Sequence, residues 1–397
     1  MRILLLCLYP ISDPRHGGQI RTRNIVDAYR SWGHDVQVLG VLGSPHYGAE
    51  DGFLSFPGAH NLARITKSSF LLEDYSIGRL FEIDSRCYRK LSGLVEGTPE
   101  IIHVEQPWLV KFADRYRKEF ATDAKILYGS QNIEYRLKED ILKQYVELDL
   151  AEKLSLKVKR IEIDAINASD AIICVSESDL AWVKEQADKP VALAQNGVNP
   201  WGLSEIGFQK AKVYSKEFRY ALYCASAHPP NLFGFLDMFG GGFGSLKPDE
   251  RLIVAGGVGT LILGDNRFLE SAKLAERVLI AGQVDKLCLD GLLNNAHCIV
   301  LPLTMGGGTN LKTAEAILSC KYVVATTKAM RGFEHFIGES GIYVADSREE
   351  FKRALRFVMG LPALSLTEPE VKFRKSVLWA NCLNTIPGLI DSIVEKV

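Results

Sequence analysis

The chain alternates short apolar runs with longer stretches in which apolar residues recur every three or four positions. The first run, "RILLLCLY" (2–9), gives way to "GGQIRTRNIVDAYRSWG", where Ile20, Ile25, Ala28, Tyr29 and Trp32 share one helix face and Gly33 stops the pattern. "HDVQVLGVL", "IIHVEQPW", "AKILYGSQN", "AIICVS" and "VALAQNGV" are further strand candidates, with helical patterns over 110–121 and 140–168. Runs that stay apolar, instead of alternating, suit a parallel sheet covered on both faces. Residues 43–80 show no regular period and predict no element.

After about residue 200 the same grammar restarts, with strands predicted at 219–227, 251–257, 277–284, 297–303, 321–327 and 341–346. Two such β/α sets predict an α/β chain of two doubly wound, Rossmann-like domains facing each other across a cleft. "GVNPWGLSEIG" collects Gly, Pro, Asn and Ser, so the boundary is expected there, dividing 1–205 from 206–375.

Composition narrows the classes. A length of 397 residues exceeds what one core usually supports, and 47% hydrophobic with 24% charged residues is ordinary for a globular chain. The net charge of −1 gives no nucleic-acid footprint. It leaves room for a local membrane patch such as "KLSLKVKR" (153–160), which reads first as a solvated helix face. Eight scattered cysteines without a Cys-x-x-Cys pair read as small buried hydrophobes in a reducing compartment. "MRILLLCLYPISDP" reads as a first strand, not a signal peptide, and no run approaches the roughly 20 apolar residues that span a bilayer. The expected location is the cytoplasm, with peripheral contact at the inner membrane face as the other option. No oligomeric state is implied.

Candidate chemistry lies just past the strands. Gly17 and Gly18 form a turn between the first strand and a helix, where a doubly wound sheet binds ligands and a helix N-terminus favours anions. "VAGGVGTL" (254–261) resembles a dinucleotide loop, yet it comes partway through its domain and reads as a structural turn. His103, Glu105, Gln131, Asn132 and Glu134 sit near two strand ends. In "MGGGTNLKTAEAI" (305–317), Gly306, Gly307 and Gly308 admit a bulky group, Thr309 and Asn310 can cap the helix, and first-turn amides favour phosphate. Lys312 adds a full charge, and Glu315, one turn later, could grip two sugar hydroxyls. The competing reading is a solvated i, i+3 pair.

In this order, "GGQIRTRN", "SDAIICVSESD", "NGV", "SAHPPN", "RLIVAGG", "AGQVDKLCLDGLLNNAHCIVLPLTMGGGTNLKTAEAIL" and "VVATTKAMRGFE" resemble the retaining GT-B glycosyltransferases of the group-one class, family four. The resemblance implies an acceptor-side first domain, a nucleotide-sugar-binding second domain, and a last helix at about 376–394 with Trp379 crossing back within 376–397. It assigns the donor to Gly17, Gly18, His228, Asn231, Gly282, Gln283, Val284, Gly306, Gly307, Gly308, Thr309, Asn310, Leu311 and Glu315. Catalytic roles fall to Lys312, Gln131 and Glu105, and the acceptor side to His103, Asn132 and Glu134. Gly307 stands where many relatives carry a carboxylate, Gln131 where many carry histidine, and the usual Arg/Lys pair is absent from "CASAHPPNLFGF", leaving Lys312 and, more weakly, Arg331 to meet the diphosphate.

The implied reaction moves a sugar from a nucleoside diphosphate to a hydroxyl of a glycan, glycolipid or small-molecule acceptor, with retention. Surface polysaccharide or related glycoconjugate assembly is the implied setting. No cofactor is expected, and no Asp-x-Asp strand end suggests a metal. The alternatives are a non-catalytic nucleotide-sugar or glycan-binding partner, an epimerase or phosphorylase on the same fold and, last, a nicotinamide oxidoreductase.

Overall fold

The computed structural model describes every residue except Leu203, Gly241, Phe243, Gly244, 270–276, 306–308 and 395–397. The chain divides into two compact units, 1–195 with 383–397 and 196–382.

The first unit is built on a parallel sheet of seven described strands: β1 (Arg2–Cys7), β2 (Asp35–Val41), β3 (Phe53–Leu54), β4 (Ile101–Glu105), β5 (Lys125–Ser130), β6 (Ala171–Cys174) and β7 (Val191–Leu193). Their order is β3-β2-β1-β4-β5-β6-β7. Ile3 to Cys7 and all of β4 are buried without alternation, as helices on both faces of a parallel sheet require. Sequence order reverses between β1 and β4, so a crevice opens beyond their carboxyl ends. Helix α1 (Gly17–Ser31) begins there, and α2 (Glu134–Leu142) follows β5. The helical pattern at 140–168 is interrupted: α2 stops at Leu142 and α3 resumes over Leu148–Ala168. The 43–80 stretch holds the two-residue β3 and a short helix at Ala59–Ala63, too brief to give a period, and the start of a longer helix, Glu73–Ile83, that sequence periodicity missed.

The second unit has six described parallel strands: β8 (Arg219–Cys224), β9 (Glu250–Ala255), β10 (Val278–Gly282), β11 (Cys298–Leu301), β12 (Tyr322–Ala325) and β13 (Ile342–Val344), in the order β10-β9-β8-β11-β12-β13. The reversal lies between β8 and β11, and α4 (Pro229–Phe239) and α5 (Leu311–Leu318) follow those two strands. Helix α4 comes so close to the end of β11 that a Cβ on Gly234 would lie 2.2 Å from the Pro302 carbonyl oxygen. The "VAGGVGTL" turn is structural here: Gly256 has φ +91°, its amide donates to the Gly282 carbonyl, and a Cβ on it would meet the Ala225 oxygen at 2.2 Å.

The division falls ten residues before the expected 205/206 boundary. Val198 bridges Leu378 in parallel, its amide donates to Val377 at 2.9 Å, and Gly197 packs against Trp379, so this segment belongs to the second unit. The expected crossing helix is also broken up. A 3-10 turn (Lys375–Val377) and a short helix (Trp379–Cys382) stay with the second unit, including the buried Trp379. Only α6 (Ile386–Val394) belongs to the first, where Thr385 donates to the Leu193 carbonyl at 2.8 Å. Among the described residues no helix is long and apolar enough to cross a membrane.

Candidate functional site

In the first unit a cavity of about 380 Å³ opens beyond the carboxyl ends of β1, β4 and β5. Tyr9, Gln106, Gln131 and Asn132 reach it from the strand ends, and His16 and Gly18 from the start of α1. Gly18 approaches this wall closely: a Cβ there would lie 3.1 Å from the Gln131 side-chain oxygen and 3.3 Å from the Tyr9 ring, tighter than an ordinary contact. Gln106 holds φ +65°, a strained conformation for a residue with a Cβ, and its amide nitrogen reaches the Glu134 carboxylate at 3.3 Å.

Beneath the cavity floor lies a polar network with almost no solvent contact. Tyr29 Oη is 2.8 Å from His103 Nδ1, and His103 Nε2 is 3.0 Å from Glu105 Oε1, a contact off the line of a well-aligned hydrogen bond. Arg21 Nε stands 3.9 Å from Glu105 Oε2, and Gln131 donates a short hydrogen bond to the same carboxylate and another to Tyr9 Oη at 2.6 Å. Gly129 leaves room for this cluster, because a Cβ there would sit 2.5 Å from Glu105 Oε1. Burial pushes the Glu105 carboxyl up, but His103, the Arg21 charge and the Gln131 amide outweigh it and hold it below the ordinary carboxylate range. His103 and Glu105 therefore support Gln131 from below, while Gln131 and Asn132 face the cavity.

A second buried pair sits behind Asn132. Glu162 of α3 accepts the backbone amides of Glu134 and Tyr135, capping α2, and Glu134 accepts from Asn132 at 3.2 Å. Burial raises Glu134 to about 7. It raises Glu162 to about 8, with the Glu134 charge adding to the effect. Below the ordinary carboxylate range both states are protonated and the pair costs nothing. As pH rises the unfolded chain ionises first, so folding stability falls until the pH passes about 8. Glu162→Gln removes one titration. The stability lost between pH 5 and pH 8 is expected to shrink by a few kcal/mol in urea melts, and an unchanged pH dependence would contradict the buried-pair account.

The second unit places its candidate residues at the β8/β11 reversal. Asn310 caps α5, its side-chain oxygen accepting the Lys312 amide at 3.2 Å and its carbonyl the Thr313 amide at 2.9 Å. The expectation that first-turn amides await phosphate is thus modified, because the chain itself takes two of them. Thr309 does not cap; its hydroxyl accepts from Asn196 Nδ2 at 2.6 Å. Lys312 Nζ lies 3.0 and 2.9 Å from the two Glu315 oxygens, and both side chains are mostly buried, at 33% and 21% exposure. Burial works against the Lys312 charge, yet Cys224 and Glu315 beside it raise it on balance. Burial pushes the Cys224 thiol itself up to about 11, so at neutral pH Glu315 is the charge that acts.

The other donor candidates spread out. His228 is exposed at the start of α4, whereas Asn231 is turned inward to its own loop, donating to the Ser226 carbonyl at 3.0 Å while its carbonyl accepts from Tyr223 Oη. Gly282, with φ +67°, ends β10, and Gln283 and Val284 follow it, at the far edge of the sheet from β11. Gly17 opens α1, and Leu311 opens α5. Gly306, Gly307 and Gly308 lie outside the described residues. Sequence reasoning missed Tyr47, Phe70, Glu73, Asp74 and Lys138 of the first-unit cavity. The first four lie in the aperiodic 43–80 stretch, and only tertiary folding brings them to the strand ends.

Sequence comparison decides the family. The model for Glycosyltransferase Family 4 matches residues 15–201, and that for Glycosyl transferases group 1 matches residues 243–360. The chain carries both domains of a group-one glycosyltransferase. No curated protein sequence matches it significantly. In fold, this group-one glycosyltransferase is similar to sucrose-phosphate synthase from Thermosynechococcus elongatus, at 15% identity and TM-score 0.71 with 100% of each chain covered. It is also similar to Anabaena HepE in complex with UDP and glucose, at 12% identity and TM-score 0.66, covering 99% of this chain and 100% of that one. The catalytic domain of starch synthase IV from Arabidopsis thaliana, bound to ADP and acarbose, matches at 12% identity and TM-score 0.62 over 100% and 99% of the chains. These likenesses establish the GT-B fold, and the two family models support an enzyme that transfers sugar.

Proposed function

We propose that this glycosyltransferase takes a nucleoside-diphosphate sugar on its second domain and passes the sugar, with retention, to an acceptor hydroxyl. The observation that carries this reading is the partly buried Lys312–Glu315 pair at the reversal point of the second sheet, inside the segment matched by the group-one model. With a donor in place, Lys312 turns from Glu315 to the diphosphate, and Glu315 accepts the ribose hydroxyls. The bond from the sugar's anomeric carbon to phosphate oxygen breaks with its electron pair leaving on the diphosphate. The acceptor oxygen bonds to the same face of that carbon, and its proton passes to the departing phosphate. Charge accumulating on that phosphate is what Lys312 stabilises. No metal is required in this scheme, because fixed protein charge serves. A role in surface polysaccharide or related glycoconjugate synthesis, by a protein working in the cytoplasm, fits the same reading.

One feature favours a second reading. Gln131 has no titratable group, and its amide is engaged by Glu105 and Tyr9, which would suit a partner that binds sugars without transferring them. A panel of nucleoside diphosphates and their sugars separates the two. A matching donor in large excess over Kd should stabilise the fold by about 3–4 kcal/mol, and product NMR should show retained anomeric configuration. Stabilisation without turnover supports the binding partner, and an inverted product rules out retention.

A further inference from the structure

We propose that the first-domain cavity recognises the acceptor through a neutral, polyhydroxylated sugar ring, with Phe70 as its stacking platform and an acidic lining that turns away anionic sugars. The inference rests on the reading of the first domain as the acceptor side. Its first support is an aromatic ring where burial cannot explain one. Phe70 borders the cavity at 71% exposure, in a short 3-10 turn (Ser69–Leu71), and Tyr47 lines the same space. An aromatic face left in water beside a polar cavity suits a ligand with one apolar C–H face and a rim of hydroxyls.

The second support is the lining's charge. Lys138 pairs with Asp74 at 2.5 Å, and the two cancel. Glu73 stands next to them in the same lining; burial and the Asp74 charge push its carboxyl up, and once ionised it adds a negative charge that no cation of the lining balances. Burial lowers the His16 imidazole, so it is neutral at pH 7 and offers no compensation. A carboxylate or phosphate on the ligand would face that surplus in a partly desolvated space. The amides of Gln106 and Asn132 and the remaining donors of Lys138 instead suit neutral hydroxyls. Gln106 is held toward Glu134 in its strained conformation and Asn132 by the same carboxylate, so the amides are fixed before any ligand arrives.

Equilibrium binding without donor tests this apart from the transfer reaction. Saturation-transfer NMR on the full chain would compare a methyl hexoside with the matching methyl uronide. The hexoside is expected to bind about tenfold or more tightly than the uronide at pH 7. Phe70→Ala, a change at an exposed position, is expected to weaken the hexoside about three- to tenfold. Glu73→Gln is expected to narrow the gap by improving the uronide. Equal binding of both sugars, or a hexoside unaffected by Phe70→Ala, overturns the proposal. If the donor panel fails while hexoside binding follows Phe70, the transfer reading fails and this one stands. Neutral glucolipid in phosphatidylcholine vesicles is the second probe. Phe70-dependent co-sedimentation supports a lipid-linked sugar, and binding of the free glycoside alone supports a soluble one.

Discussion

Lys312→Ala is expected to lower kcat about 10²–10³-fold, the cost of losing one preorganised donor to a developing anion. Two properties of the site make the effect large. The ammonium is mostly shielded from water, so its field on a departing phosphate is weakly screened, and Glu315 keeps it charged through the working pH range. The fold is expected to lose some stability as well, because the substitution leaves the Glu315 carboxylate mostly buried without its cation. Activity is thus expected to collapse in protein that still melts cooperatively at a lowered temperature. Steady-state kinetics checks the assignment: an unchanged kcat removes Lys312 from the reaction. Glu315→Gln should instead act mainly on donor KM, since its role is to hold the donor and not to meet transition-state charge.

Glu105→Gln is expected to destabilise the first domain by about 3–5 kcal/mol. The carboxylate is fully buried among Arg21, His103 and Gln131, and the substitution leaves the equally buried Arg21 guanidinium beside a neutral amide. Because the folded Glu105 carboxyl lies below the ordinary range, its contribution is present above that range. It is lost as pH falls through the lowered folded value. Wild type should therefore lose stability in acid that the variant has already lost, and the two urea midpoints should converge as pH drops. A variant within 1 kcal/mol of wild type at pH 7 would show that the network does not hold the fold. Gln131 would also exchange a bond to a carboxylate for a weaker one to a neutral amide oxygen, so acceptor KM is expected to rise with little change for the donor.

The sequence by itself determined the two-domain α/β architecture. Parallel strands buried on both faces must be apolar throughout, and all six strands predicted in each half are present. It also determined Asn310 as a cap and the i, i+3 spacing of Lys312 and Glu315, because both depend on neighbours along the chain. It did not determine where the compact units divide. That rests on the Val198–Leu378 bridge, a pairing across most of the second domain. Nor did it show that Glu105 lies a layer below Gln131, or that Phe70, Glu73, Asp74 and Lys138 gather at one cavity. A strand end tells which residue leaves the sheet and not how deep it sits, and an aperiodic loop leaves no record of where it folds back. Those depths and meetings are long-range packing, and only the tertiary structure decided them.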